Sequence, residues 1–95
     1  MVAIANITTP LYPTHPGVIL KDKIEYRGIS QRKLALQMGI SITMLNEILN
    51  AKRPVNTGFA LLLEAAIGVD LETLVNMQTR YNIQMERADN TPGFV

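Results

Sequence analysis

The side chains with the clearest capacity for molecular recognition lie between residues 31 and 53. Four of them are cations that can contact phosphate oxygens: Arg32, Lys33, Lys52 and Arg53. Between the two basic pairs lie polar and apolar side chains that can meet the edges of nucleic-acid bases: Ser41, Ile42, Thr43, Asn46 and Glu47. The chemistry that this spacing predicts is non-covalent binding of a nucleic acid.

Other kinds of chemistry lack the residues they need. The chain has no cysteine, which excludes disulfides, thiolate metal ligands and a cysteine nucleophile. Its single histidine, His15, has no second histidine or carboxylate cluster with which to complete a metal site, so we interpret it as a capping or structural residue. Glycine-rich phosphate loops are also missing from the sequence. We therefore predict a protein that is not an enzyme and uses no cofactor.

Length and composition limit the architecture to one small domain. The 95 residues are enough for a single core, and an apolar content of 47% is incompatible with a wholly disordered chain. The sequence has no stretch of about 18 apolar residues and no basic-then-apolar beginning, the features that predict membrane insertion or secretion. We therefore expect a cytoplasmic protein that does not bind membranes.

Two short helices joined by a tight turn must position the recognition side chains. The first begins after Ser30, a predicted N-cap, and places Leu34 and Met38 on one face. Gly39 supplies the left-handed conformation for the turn, and Ser41 is predicted to cap the second helix. The second helix has three inward-facing apolar residues, Leu45, Ile48 and Leu49. This pattern predicts a helix-turn-helix with its outward side in a DNA major groove, and a plain helical hairpin with a glycine corner is the alternative.

Charge is distributed unevenly along the chain, although the net charge is only +1. Residues 21–53 contain seven basic and three acidic side chains, a net charge of +4, whereas residues 54–95 contain two basic and five acidic ones, a net charge of −3. Since ionic attraction acts within a Debye length of about 8–10 Å, local charge matters more than the total. The pattern indicates a phosphate-facing half and an acidic, partner-facing half, and ordinary solvated helix faces are the alternative.

Three further helices complete the prediction of an all-α fold with five helices. The first helix is expected to start at Pro16, the fourth to be capped by Asn56 or Thr57, and the fifth to start at Asp70. The apolar stripe of the fifth helix is interrupted by Gln78. The residues predicted to face the core from the first and fourth helices are Ile19, Leu20, Ile24, Ala60, Leu61, Leu63 and Ile67.

The chain is predicted to have three parts. Residues 1–14 carry no charged side chain and two prolines, so they are expected to form an extended apolar arm that folds over the domain or docks on another chain; an idle terminus is the alternative. Residues 15–87 are predicted to form the helix-turn-helix DNA-binding domain. Residues 88–95 are predicted to form a frayed tail.

At this level of detail the sequence resembles a known family, the HigA (VapI-like) antitoxins within the lambda-repressor-like XRE regulators. The similarity lies in four segments: HPGVILKDKI at 15–24, GISQRKLALQMGIS at 28–41, LNEILNAKRPV at 45–55 and LVNMQTRYNI at 74–83. The resemblance implies a compact five-helix lambda-repressor-like fold and dimeric binding of double-stranded operator DNA. It also implies repression of the chain's own operon and a RelE-like, mRNA-cleaving toxin as partner.

The resemblance assigns roles to individual residues as well. It places Gln31 at the N-terminus of the second helix as a phosphate contact, and Lys52 and Arg53 beside the DNA backbone. Its groove-facing positions correspond to Ser41, Ile42, Thr43 and Glu47.

The chain departs from the family pattern at Val18, which stands where an acidic residue is usual after HPG, and at two places in and after the second helix of the motif. Where relatives commonly have glutamine or arginine, it has Ile42 and Met44, which can touch a thymine methyl group but cannot make a bidentate base contact. Ala51 stands where relatives have glycine. We therefore expect either that Asn50 adopts the left-handed conformation or that the helix runs one residue further.

Two alternative functions remain compatible with the sequence. One is an XRE-family transcriptional regulator that has no toxin partner. The other is a protein-interaction module that has the same fold but does not bind DNA, an alternative favoured by the few polar side chains on the second helix of the motif and by the apolar arm.

Overall fold

Five α-helices make up the part of the chain that the computed structural model describes, residues 14–89. They are α1 (Pro16–Tyr26), α2 (Gln31–Met38), α3 (Ile42–Leu49), α4 (Thr57–Ile67) and α5 (Leu71–Asp89). No strand occurs between residues 14 and 89, so the prediction of an all-α fold with five helices is confirmed. Over the same range no helix is long and apolar enough to span a membrane. Residues 1–13 of the predicted arm and 90–95 of the predicted tail lie outside the described residues.

Side-chain caps start the helices of the motif where the sequence predicts them. Ser30 Oγ accepts a hydrogen bond from the backbone N–H of Lys33 at 3.2 Å, and Ser41 Oγ accepts one from Met44 at 3.0 Å. Each bond satisfies an N–H group that the first turn of a helix leaves without an intrahelical partner, and is typically worth about 1 kcal/mol. Of the two candidates for α4, Asn56 is the cap, with its Oδ1 bonded to a first-turn N–H at 2.8 Å.

The turn between α2 and α3 depends on Gly39. Its φ of +71° lies in the left-handed region, which glycine adopts without the steric cost of a Cβ. Across the turn the N–H of Ile40 donates to the carbonyl of Ala35 at 3.0 Å, and the N–H of Gly39 donates to that of Leu36 at 3.2 Å. These bonds close the end of α2 within two residues, so α3 folds back into contact with α2.

The core lies between the five helices and is almost entirely apolar. Its buried residues are Leu20, Ile24, Leu34, Ala35, Met38, Leu45, Ile48, Leu49, Val55, Phe59, Ala60, Leu63, Val69 and Leu74. Two residues predicted to face it, Ile19 and Leu61, are instead 43% and 51% exposed. Each lies about 100° around its helix from a buried neighbour, Leu20 or Ala60, and therefore falls beside the apolar stripe instead of within it.

The backbone of α1 approaches that of α3 at Gly17. An ideal Cβ built on Gly17 would overlap the carbonyl oxygen of Ile48, so a larger residue does not fit unless one helix moves. His15 caps α1, because its Nδ1 accepts the N–H of Gly17 at 2.8 Å, and Pro16 is the first helical residue. The predicted start of the first helix is confirmed, and α1 supports α3 from its buried side.

Candidate nucleic-acid interface

The helix α3 has one buried and one exposed face. Leu45, Ile48 and Leu49 are at most 1% exposed, which confirms the predicted inward face. The opposite side, which we call the outer face, carries four exposed residues: Ser41, Ile42, Thr43 and Asn46. Glu47 is half-buried at the edge of this face. The helix is therefore anchored by its apolar side, and the outer face is open to a ligand.

Basic residues lie at both ends of the outer face. Arg32 and Lys33 are exposed in the first turn of α2, which begins with the half-buried Gln31, and Lys52 and Arg53 are exposed in the loop that follows α3. Neither α2 nor α3 has an acidic residue in its first turn, so no carboxylate there compensates the positive ends of the two helix dipoles. Arg32 lines a groove with Ile42, and Arg53 pairs with Glu47, so a cation lies beside α3 near each of its ends.

Glu47 and Arg53, predicted to act separately, contact each other. Arg53 donates from Nε at 3.0 Å and from Nη2 at 2.8 Å to the same carboxylate oxygen of Glu47. The side chains of Arg53 and Glu47 are 50% and 36% exposed, and an ion pair this exposed contributes only about 0–1 kcal/mol. The guanidinium is therefore held at the edge of the outer face, while a phosphate can share or replace its carboxylate partner at little cost.

Other polar groups of α3 are also engaged within the protein. Ser41 Oγ accepts a backbone N–H as the helix cap. Asn50 accepts from Lys21 Nζ at 3.2 Å and donates to the carbonyl oxygen of Asn46 at 2.9 Å. Between residues 14 and 89 no hydrogen-bond partner is found for the side chains of Thr43 and Asn46. These two are therefore the polar groups of the outer face that are available to a ligand.

The end of α3 differs from both sequence-based expectations. Asn50 has a φ of −100° and the helix stops before it, so neither a left-handed Asn50 nor a longer helix occurs. Instead Ala51 itself takes a left-handed φ of +62°. The N–H groups of Ala51 and Lys52 donate to the carbonyls of Ile48 at 3.1 Å and Glu47 at 2.8 Å, the two bonds of a Schellman end. These bonds hold a conformation that costs an L-residue with a Cβ about 1–2 kcal/mol.

Gln78 of α5 holds the loop that carries the basic pair after α3. Its side chain is 6% exposed, its Oε1 accepts the backbone N–H of Val55 at 2.8 Å, and its Nε2 donates to Asn82 Oδ1 at 2.8 Å. The sequence identified Gln78 only as an interruption of the apolar stripe of the fifth helix, and its hydrogen bond to the loop was not predicted. The interruption was itself the available signal, because a buried polar side chain requires a hydrogen-bond partner.

His15 connects the start of α1 to the same loop. Its ring packs edge-on against Tyr81, with centroids 4.9 Å apart and an interplanar angle of 75°. Burial lowers the pKa of His15 from its ordinary value, and a hydrogen bond with the backbone of Arg53 offsets part of this effect. Since Nδ1 accepts the N–H of Gly17, the neutral imidazole is the form that fits the site. The predicted capping or structural role is confirmed.

Comparisons with known sequences place these features within one family. The helix-turn-helix family profile matches residues 20–74, a segment that includes α2, α3 and the basic loop. Virulence-associated protein I of Dichelobacter nodosus is 34% identical over 76 residues, which are 79% of this chain and 70% of that protein.

Solved structures of similar fold come from the same family. The Pseudomonas aeruginosa antitoxin HigA with higBA promoter superimposes with a TM-score of 0.77 and 28% identity, covering 83% of this chain and 87% of that one. An addiction module antidote protein of the HigA family from Coxiella burnetii gives a TM-score of 0.78 and 29% identity, covering 85% and 89% of the two chains. The five-helix fold is therefore that of HigA-family antitoxins, as the sequence resemblance implies.

Proposed function

This chain belongs to the helix-turn-helix family that its residues 20–74 match, and on that premise we propose that it is a DNA-binding autorepressor and the antitoxin of a HigBA-type toxin–antitoxin module. The observation that carries the proposal is the outer face of α3, which is exposed, backed by a buried apolar side and bordered by cations at both ends. It acts in the cytoplasm, where operator DNA lies.

Phosphate contacts come from the two ends of the motif. Gln31, Arg32 and Lys33 lie at the N-terminus of α2, where exposed N–H groups and the helix dipole favour an anion. Lys52 and Arg53 reach the backbone from the loop after α3. These contacts fix the orientation of the protein on the duplex and supply affinity that does not depend on sequence.

Base contacts come from the outer face of α3. Thr43 and Asn46 have uncommitted side chains, and the Ser41 hydroxyl can still donate a proton while its oxygen caps the helix. Ile42 adds an apolar contact at the start of the helix, and Glu47 limits which bases approach its edge. The N-terminal residues of a recognition helix are those that contact base edges in other helix-turn-helix proteins.

A homodimer places two copies of α3 on one side of the DNA. Because successive major grooves on one face are about 10 base pairs apart, a symmetric dimer requires a two-fold operator with half-sites at that spacing. The solved Pseudomonas aeruginosa relative, an antitoxin HigA with higBA promoter, supports the binding of promoter DNA by this chain.

The toxin contact is proposed for the acidic part of the chain. Residues 54–95 carry a net charge of −3, which attracts a basic, RelE-like mRNA-cleaving toxin without occupying the outer face of α3. The similarity to an addiction module antidote protein of the HigA family supports an antitoxin role.

The test of operator binding is a fluorescence-anisotropy titration with the DNA upstream of the chain's own gene. A scrambled duplex of the same length and composition is the control, since phosphate contacts alone bind both equally. We expect tighter binding to the upstream duplex and a stoichiometry of two chains per operator. Equal binding to both duplexes would show that the protein binds DNA without sequence specificity. No binding to either duplex would favour the alternative of a protein-interaction module.

The test of the antitoxin role is co-expression with the product of the neighbouring reading frame. We expect that product to be a small basic protein that arrests growth when expressed alone and co-purifies with this chain. If this chain does not relieve the growth arrest, the antitoxin role is excluded, and the remaining function is that of a transcriptional regulator without a toxin partner.

A further inference from the structure

An apolar groove opens beside the outer face at the start of α3. It has a volume of about 230 Å³ and is lined by Arg32, Ala35, Leu36, Ile40 and Ile42. Ile42 is 40% exposed and Leu36 is 76% exposed, although both are large apolar side chains. Exposed apolar surface at a binding face is characteristic of a contact with another molecule.

The polar groups of α3 limit how the helix can read a base. The Ser41 oxygen is occupied as the helix cap, Glu47 binds Arg53, and Asn50 binds Lys21. Hydrogen-bond readout is thereby left mainly to Thr43, the second residue of α3, and Asn46, the fifth. At the first position of α3 the side-chain contact to DNA is apolar, because Ile42 has no polar atom in its side chain.

The charge around the groove and the chemistry of DNA identify one occupant. Arg32 lines the groove, and a cation at its rim favours an occupant that is attached to an anion, as a base is attached to the phosphate backbone. In the major groove, the apolar group that base pairs present is the C5-methyl group of thymine. We propose that Ile42, beside Leu36 and Ile40, reads the 5-methyl group of a thymine in each operator half-site. This inference rests on the proposed operator binding and adds the base that the first position of α3 selects.

Uracil interference on the upstream duplex tests the proposal. Duplexes in which deoxyuridine replaces about one thymine per molecule are bound to the protein, and bound and free fractions are cleaved at uracil and compared. Deoxyuridine lacks only the 5-methyl group and keeps every hydrogen-bonding atom of thymine. We expect one thymine per half-site at which uracil weakens binding about fourfold, which is the roughly 0.8 kcal/mol of one buried methyl group converted at about 1.4 kcal/mol per tenfold.

The variant Ile42→Ala assigns the effect to its side chain. Alanine is a good helix former, and position 42 is exposed, so this variant is expected to fold. With Ile42→Ala, single-site thymine and deoxyuridine duplexes should bind equally, whereas the control Leu61→Ala, which shortens an exposed apolar side chain on α4, should keep the fourfold difference. A 5-bromodeoxyuridine duplex should restore wild-type binding, because bromine occupies the position of the methyl group.

Two results would overturn the proposal while leaving the proposed repressor function intact. One is operator binding in which no thymine responds to uracil, which would leave the groove to a protein partner. The other is a fourfold difference that persists in Ile42→Ala, which would assign methyl contact to another residue. A wild-type protein that binds no upstream duplex would overturn the repressor function, and this inference with it.

Discussion

The side-chain oxygen of Gln78 accepts a hydrogen bond from the backbone N–H of Val55 at 2.8 Å, across 23 residues of sequence. Val55 is 3% exposed, so water does not provide an alternative partner for its N–H group. The bond ties the loop that carries Lys52 and Arg53 to α5, the longest helix. The position of the proposed phosphate contacts therefore depends on a helix that does not itself belong to the recognition motif.

Replacing Gln78 by methionine is expected to destabilise the fold and weaken DNA binding together. The change keeps a side chain of similar length but leaves the Val55 N–H buried without a partner, at a cost of about 1–3 kcal/mol. Urea unfolding gives the loss of stability, and anisotropy under conditions where the variant is fully folded gives the loss of affinity. Asn76→Met, at an exposed position of α5, is the matched control. Equal stability of the two variants would mean that the Gln78 bond contributes nothing.

Stability is expected to fall as the solution becomes more acidic than the ordinary pKa of histidine. Burial lowers the pKa of His15 in the folded protein, so the unfolded chain binds the proton more readily. The contribution of neutral His15 to the free energy of unfolding is complete above about pH 6.5 and is lost as the pH falls below it. The free energy of unfolding then changes by at most about 1.4 kcal/mol per pH unit. Urea unfolding at several values between about pH 7.5 and pH 5.5 measures this slope, and His15→Asn, which keeps a capping residue, should flatten it. A slope that survives in His15→Asn must come from other groups, because His15 is the only histidine of the chain.

Removing the basic pair after α3 is expected to weaken binding to all DNA sequences by a similar factor. For Lys52→Ala combined with Arg53→Ala, the slope of log affinity against log salt should decrease in magnitude by about 0.9 for each phosphate that the double variant no longer neutralises. Salt titrations of operator and scrambled duplexes measure it. Arg80→Ala removes an exposed cation from α5 and should leave the slope unchanged. A double variant with the wild-type slope would exclude the loop from the DNA interface.

Glycine at position 51 is expected to stabilise the protein. Ala51 has a φ of +62°, where its Cβ is strained, and glycine removes the strain while giving up some unfolded-state entropy. The net gain should be about 0.5–1 kcal/mol in urea unfolding. Ala65→Gly, at an exposed position inside α4, should instead lose about 0.5–1 kcal/mol. A loss at both positions would show that the left-handed conformation of Ala51 is not strained.

Alanine at position 17 is expected to destabilise the contact between α1 and α3. Its Cβ would overlap the carbonyl of Ile48, so one helix must move, at a cost typical of overpacking, about 1–3 kcal/mol. The matched control is Gly58→Ala in α4, where the nearest atom lies 3.5 Å from the added Cβ and no strain is expected. Urea unfolding of both variants measures the difference. If Gly17→Ala is as stable as Gly58→Ala, the helices adjust to the contact without cost.

Features that join nearby residues could be predicted from the sequence. The caps at Ser30 and Ser41 and the turn at Gly39 depend on bonds between atoms only a few residues apart, so residue type and spacing determine them. The inward face of α3 follows from helical periodicity in the same way. The residues of the outer face could be located for this reason before any tertiary contact was known.

Features that join distant residues could not be predicted. The Gln78 bond to Val55 requires the packing of α5 against the basic loop, which no local pattern contains. The ion pair between Glu47 and Arg53 requires the chain reversal at Ala51, where an alanine takes a conformation that favours glycine. The sequence therefore located the charged groups near α3 but not which of them already had a partner.

The anchoring of α3 has a consequence for how such a protein can change. The side chains that hold α3 in place, Leu45, Ile48 and Leu49, all lie on its buried face, while Thr43 and Asn46 on the outer face make no side-chain hydrogen bond within residues 14–89. Exposed substitutions of this kind usually alter stability by less than about 0.5 kcal/mol. Substitutions at Thr43 and Asn46 can therefore change the preferred DNA target, in evolution or by design, while the fold stays the same.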